Sequence, residues 1–370
     1  MTARARRALH RLRAWACCGL AWPVLVLAQP APAVPAPPSP PSAPSAPSAG
    51  AGCPPAAVPL DPATIPQGLR AARDRGALWR VEQGGRTSWL YGTVHAAYRD
   101  WMLPGPTVLA AVRASDVVAL ELDPLDPAIA QALQAAMRQP PGAPPLPPAL
   151  AQRLHAQAVA ACAADALAPL RPEMQVAALS VMAGRRDGID PAYGTDLVLA
   201  GLARGLRLPV LSLETPQLQI AALSAGELPG ESAQAVDSGL RALEAGHTRD
   251  SLRTLVQAWA DGRTALLATY AQWCDCMDSP ADRAAIERVV TARNPALAAS
   301  IAARHRSGSR VFAAVGALHM VGADGLPALL AAQGFRVERV RFEAAPPAAQ
   351  GRAPARAGAT ESEPKVPLAP

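Results

Sequence analysis

Short continuous apolar runs alternate along the chain with longer stretches of helical period. Two strands are predicted at Leu78–Glu82 and Thr87–Thr93, folded back at Gly84-Gly85, a hairpin signal. Asp116–Leu122, Pro209–Leu213 and Arg310–Val315 each hold a mainly apolar run of buried-strand length. Arg336–Phe342 alternates, as an edge or half-exposed strand would. Helical patterns fill 106–114, 127–138, 147–165, 173–185, 194–206, 232–246, 249–273, 280–304 and 324–333. Long helices between short apolar strands predict an α/β fold with a largely parallel central sheet, helices on both faces, and helical insertions around 125–190 and 215–305.

The ends of the chain follow other rules. Arg4 to Arg13 form a basic segment, Ala14 to Ala28 an apolar one, and Val26-Leu27-Ala28 suits cleavage before Gln29, so residues 1–28 read as a secretory signal peptide. The apolar part is shorter than the roughly 20 residues of a spanning helix, which makes an uncleaved anchor the weaker alternative. Nine prolines crowd residues 29–50. The stretch 29–64 reads as an extended Pro/Ala/Ser-rich linker, 65–343 as the folded body, and 344–370 as a low-complexity tail.

Composition changes the picture in two places. The net charge of +6 comes mostly from five arginines in residues 1–28, which hold no acid; the rest carries about +1. A nearly neutral body gives no electrostatic case for nucleic-acid binding. Cys53, Cys162, Cys274 and Cys276 remain beyond the signal segment. In an exported protein disulfides are expected, with three complete pairings open. Cys274-Asp275-Cys276 lacks the second Cys or His pair of a zinc site, so bridging is the better reading.

The chemistry sits where the strands end. Trp89–Val94 leads to His95, Val117–Leu120 to Glu121, Val210–Leu213 to Glu214, and Phe312–Leu318 to His319. In open α/β sheets the C-terminal edge of the strands is where ligands bind. Imidazole and carboxylate together suit a divalent metal or acid–base chemistry. Both histidines close a Gly-x-x-His segment, Gly92–His95 and Gly316–His319, followed at similar spacing by Glu121 and Glu343. That hints at two βαβ half-repeats with the histidines facing one another. His155, His247 and His305 read as surface residues. Asp196 reads as a helix N-terminal residue favouring the dipole, with support of a ligand histidine as the alternative.

These residues carry a family resemblance. Leu78–Glu82, Tyr91–His95, Ala119–Asp123, Gly194–Leu197, Leu213–Thr215, Arg293-Asn294 and Ala314–Leu326 together resemble the TraB/GumN family, which includes the Tiki proteases that cleave Wnt proteins. The resemblance covers 77–341. It implies metal-dependent peptide hydrolysis, with His95, His319 and Glu121 matching the centre of the Tiki branch, and it favours Mn²⁺ or Co²⁺; Zn²⁺ is chemically possible. The expected arrangement is a metal held by His95, Glu121 and His319, with Glu214 as general base or further ligand. Arg293 is expected either to hold a substrate carboxylate or oxyanion, or to form a structural salt bridge. The expected substrate is a peptide or another small or extended molecule. A non-catalytic peptide- or glycan-binding or assembly factor linked to envelope polysaccharide, and an ester or glycan hydrolase, are the rival readings. Oligomeric state stays open.

Overall fold

The computed structural model describes residues 52–224, 231–277 and 279–342. The signal segment, most of the Pro-rich linker, Glu343 and the C-terminal tail lie outside these.

Six strands form the central sheet: β1 (Leu78–Gln83), β2 (Arg86–Thr93), β4 (Val117–Leu120), β6 (Val210–Ser212), β7 (Val311–Gly316) and β8 (Arg336–Arg339). Their order is β6-β4-β7-β2-β1-β8. The first four are mutually parallel, while β1 runs antiparallel to both β2 and β8. Gly84 and Gly85 both take positive φ at the β1–β2 turn, as a two-residue type I′ hairpin demands. β8 is the exposed edge. A second, two-stranded ribbon pairs β3 (Ala97–Tyr98) with β5 (Ile189–Asp190), elements too short to leave a periodic signal.

The apolar runs are continuous because both faces of the parallel strands are covered. Along β7, Phe312 and Ala314 point into one core with Leu199 and Ala203 of helix Thr195–Gly205 and Val108 and Val112 of helix Pro106–Arg113. Val311, Ala313 and Val315 point the other way, onto Leu297 and Ile301 of helix Asn294–Arg306 and onto Leu326 and Leu330. A third core, built on Leu154, Leu167, Met174, Leu179, Val236 and Leu240, belongs to the inserted helices.

Several helices are shorter than their patterns. The 249–273 pattern splits into His247–Ala260, Thr264–Ala268 and Tyr270–Trp273. Gly262 between the first two has φ +62, and an added Cβ would stand 2.9 Å from Gly76 O. The 280–304 pattern splits into Pro280–Val289 and Asn294–Arg306 around a 3₁₀ turn, Thr291–Arg293. Pro295 opens the second helix, where its missing N–H costs nothing. Helices Ile65–Ala71 and Pro216–Leu223 were not expected from periodicity. Thr215-Pro216, an N-cap followed by a first-turn proline, was the available signal for the latter.

The cysteines pair Cys53–Cys162 and Cys274–Cys276. No helix among the described residues is long and apolar enough to cross a membrane.

Candidate active site

All four parallel strands deliver their polar residue at the same edge, in the spatial order Glu214, Glu121, His319, His95. The backbone keeps neighbours together past the strand ends. Leu213 N donates to Leu120 O and Glu214 N to Glu121 O at 3.1 Å, so the two glutamates emerge side by side.

Arg293 stands between them. Its Nε donates to Glu214 Oε1 at 2.8 Å, and its Nη2 donates to Glu214 Oε2 and, at 2.5 Å, to Glu121 Oε2. Nη1 donates to Val289 O at 2.7 Å and faces His319 Nε2 at 3.5 Å. Of the five N–H donors of the guanidinium, four have oxygen partners and the fifth faces His319 Nε2. The side chains of Arg293, Glu121 and Glu214 are 11%, 9% and 4% exposed, so the ion pairs are dry and geometrically fixed. The break between the two helices turns the Arg293 N–H to Val290 O and so frees the Val289 carbonyl, which a continuous helix would pair with that N–H, to accept from the Arg293 side chain.

Glu121 has further partners. Gly316 N donates to Oε1 at 2.8 Å, and Gln219 Nε2 donates to Oε2 at 3.3 Å. Burial alone would raise its pKa, but the histidines, Arg293 and the Gly316 N–H outweigh that and hold it down at about 2. A Cβ at Gly316 would stand 3.3 Å from Glu121 Oε1, so the Gly-x-x-His glycine is what lets the carboxylate reach the backbone N–H. The corresponding Gly92 faces backbone instead, with Ala317 Cα 3.2 Å from where its Cβ would be.

His319 is 4% exposed. Its Nδ1 lies 2.6 Å from Asn294 Oδ1, and Asn294 Nδ2 donates to Asp324 O at 2.7 Å. The amide orientation assigns Nδ1 as the donor and Nε2 as the free acceptor. Burial pushes the His319 pKa down to about 4, with Arg293 and His95 adding to the effect and Glu121 opposing it. The ring is therefore neutral at pH 7.

His95 is held by the segment Gly194-Thr195-Asp196. Thr195 N donates to Val94 O, and Val94 N to Thr195 Oγ1, at 2.9 and 3.0 Å. Asp196 Oδ2 lies 3.3 Å from His95 Nδ1. The His95 side chain is 58% exposed, and the Asp196 carboxylate holds its pKa above the ordinary imidazole value. Asp196 fits both of its readings: it sits in the first helical turn, where its charge favours the dipole, and its side chain, which caps no backbone N–H, bonds His95.

His305 corrects an expectation. It is 1% exposed, accepting from Ser88 Oγ at Nδ1 and donating from Nε2 to Gln83 O. Ser88 Oγ takes the Val311 N–H, which leaves its own proton for the imidazole. His305 ties helix Asn294–Arg306 to β1, β2 and β7; its polar helical surroundings in sequence gave no sign of this.

Two residues were missed as site members. Asn294 orients His319, and Gln219 reaches Glu121 from the unexpected helix Pro216–Leu223.

As metal ligands the residues divide. Each candidate imidazole has Nδ1 held by an oxygen partner, leaving Nε2 as the donor, an arrangement shared by metal-bound histidines. With Glu121 the donor types suit Mn²⁺, Co²⁺ or Zn²⁺. Spacing is stricter: among the described residues no three His, Cys, Asp or Glu side chains stand close enough to hold one ion. The positive charge between the two carboxylates is Arg293.

A family model described as the TraB/PrgY/gumN family matches residues 77–339. No curated protein and no solved structure matches the chain.

Proposed function

The chain belongs to the TraB/PrgY/gumN family, and on that premise we propose that it is an exported, metal-dependent hydrolase acting on peptide bonds. The observation that carries this reading is the convergence of His95, Glu121, Glu214 and His319 on the C-terminal edge of four adjacent parallel strands. The Cys53–Cys162 bridge is compatible with export into an oxidising compartment.

In this reading His95, His319 and Glu121 would hold the ion, which requires them to draw closer together than they stand here. Once bound, a divalent metal would supply a Lewis acid for the scissile carbonyl and would lower the pKa of a water. Every other task falls to the chain. Asp196 and Asn294 fix the two rings at Nδ1. Gly316 N–H and Arg293 fix the Glu121 carboxylate. Glu214 is the candidate general base, and Arg293 holds its carboxylate in place. With its donors engaged inside the protein, Arg293 acts as a positioning residue for both carboxylates.

The test is metal content by mass spectrometry of full-length protein purified without chelator, beside His95→Ala and His319→Ala. Near-stoichiometric metal lost in both folded variants supports the reading and justifies a peptidase screen with Mn²⁺ and Co²⁺. Wild-type protein that takes up no metal after these ions are added would sink it.

One observation favours a second reading. Arg293 already pairs with both Glu121 and Glu214 and offsets one of their two negative charges, so part of a cation's electrostatic task is filled within the protein. A protein that binds a peptide or glycan at this edge without cleaving it would keep that arrangement. It would also tolerate His95→Ala and His319→Ala with its binding intact.

A further inference from the structure

The two disulfides differ in what they do for the fold. Cys53–Cys162 joins positions 109 residues apart, tying the segment ahead of the first described helix to the helical insertion. Closing so long a loop removes much freedom from the unfolded chain. Cys274–Cys276 closes a loop with one residue inside it, so chain entropy gives it a far smaller stabilising role. Its surroundings give it a chemical one.

Cys274 ends the short helix Tyr270–Trp273 and is 5% exposed, while Cys276 lies half-buried in the turn that follows. Tyr270 Oη lies 3.3 Å from each sulfur. A disulfide sulfur carries no proton, so in this pair the phenol must be the donor. Burial pushes the Tyr270 pKa up, which keeps that proton in place across the neutral range. Trp273 Nε1 donates to Leu266 O and packs edge-on against the Tyr270 ring, fixing the phenol. A hydrogen-bond donor is thus aimed at a sulfur before the S–S bond breaks, and stabilising the departing thiolate is what speeds thiol–disulfide exchange.

We propose that Cys274–Cys276 is an exchange-competent disulfide that oxidises dithiol substrates, with Cys276 as the attacked sulfur and Tyr270 as the donor to the departing Cys274. A substrate thiolate attacks Cys276 Sγ. The S–S bond breaks, its electron pair goes to Cys274 Sγ, and Cys274 is protonated from solvent. A second thiol of the same substrate displaces Cys276. The substrate leaves as a disulfide, having lost two electrons and two protons, and the protein is left with two thiols. Until that second attack Cys274 stays one residue from the mixed disulfide, so substrates with a single thiol are expelled rather than stored.

The test uses the oxidised full-length protein and dithiothreitol, an uncharged dithiol, with timed alkylation and peptide mapping of both bridges. Cys274–Cys276 is expected to open at least about tenfold faster than Cys53–Cys162, although both residues of the latter are exposed, because a donor stands ready for the leaving sulfur of Cys274–Cys276. Tyr270→Phe, with its fold checked by circular dichroism, is expected to slow that opening about three- to tenfold. Reduced Cys274→Ser treated with oxidised glutathione should accumulate a glutathione adduct on Cys276, while the wild type accumulates none. Opening of Cys274–Cys276 no faster than Cys53–Cys162, or an unchanged rate in Tyr270→Phe, would overturn the proposal.

Discussion

Arg293 Nη2 and Glu121 Oε2 meet at 2.5 Å although 172 residues separate them in the chain. Both side chains are about nine-tenths buried, and Glu214 shares the same guanidinium. Removing the arginine strands two carboxylates in a dry setting, so Arg293→Met is expected to cost about 3–5 kcal/mol, the usual consequence of breaking a buried pair from one side. Adding Glu121→Gln and Glu214→Gln should restore a large part of that loss. Urea unfolding of the wild type, Arg293→Met and the triple variant measures it. An Arg293→Met variant as stable as wild type would mean that the three side chains are not coupled.

Gly316 predicts a different separation of effects. Its Cβ position lies 3.3 Å from Glu121 Oε1 and 3.4 Å from His319 Cδ2, close enough that both must shift a little. Its φ is not in the left-handed region, so alanine brings no backbone strain there. Gly316→Ala is expected to lose about 1 kcal/mol or less of stability while weakening metal retention and any hydrolytic activity at least about tenfold, because misplacement by a fraction of an ångström is costly in a preorganised site. Gly142→Ala, at a turn where an added Cβ meets nothing within 4 Å, reports the cost of a positive φ alone. Equal losses of metal and of stability in Gly316→Ala would count against the assignment.

The sheet edge was legible in the sequence for a physical reason. A strand buried on both faces must be apolar throughout, so the first His or Glu after each run marks where the strand leaves the core. His95, Glu121, Glu214 and His319 announce themselves in this way. Strand order does not, because β7 lies between β4 and β2 through contacts that no local pattern encodes. A salt bridge was one of the two expectations for Arg293, but its partners Glu121 and Glu214 were hidden for the same reason. Pro295 did signal the helix break that places Arg293, but the helical period ran through it unchanged. His305 shows the limit from the other side: its buried partners Ser88 and Gln83 lie on strands more than 200 residues earlier.

His95 and Asp196 make an exposed pair whose electrostatics can be read directly. The carboxylate raises the imidazole pKa, and solvent screening at a 58% exposed side chain will temper the effect. In protein free of metal, nuclear magnetic resonance should find His95 titrating above 6.5. Asp196→Asn should bring it back toward that value. A wild-type pKa at or below 6.5 would place the ring away from Asp196.

His319 sets a pH dependence of the opposite kind. Its pKa is about 4 in the folded protein and 6.5 in the unfolded chain. Above pH 6.5 the ring is neutral in both states and the fold keeps its full stability. As pH falls below 6.5 the unfolded chain takes up a proton that the folded ring refuses, so stability declines until about pH 4 and then levels. A shift of this size corresponds to at most about 3 kcal/mol. Other groups titrate in the window, so the measurement is a difference: thermal or urea unfolding of metal-free wild type and His319→Gln at pH 7.5, 5.5 and 4.5. The variant starts less stable, having lost a buried ring and its bond to Asn294, and is expected to lose less as pH falls. Asn294→Asp adds a third arm. An anion at Nδ1 should stabilise the charged ring, raise its pKa and flatten the wild-type decline. Parallel pH profiles in wild type and His319→Gln would show that His319 does not carry the buried, neutral ring on which the Asn294 contact depends.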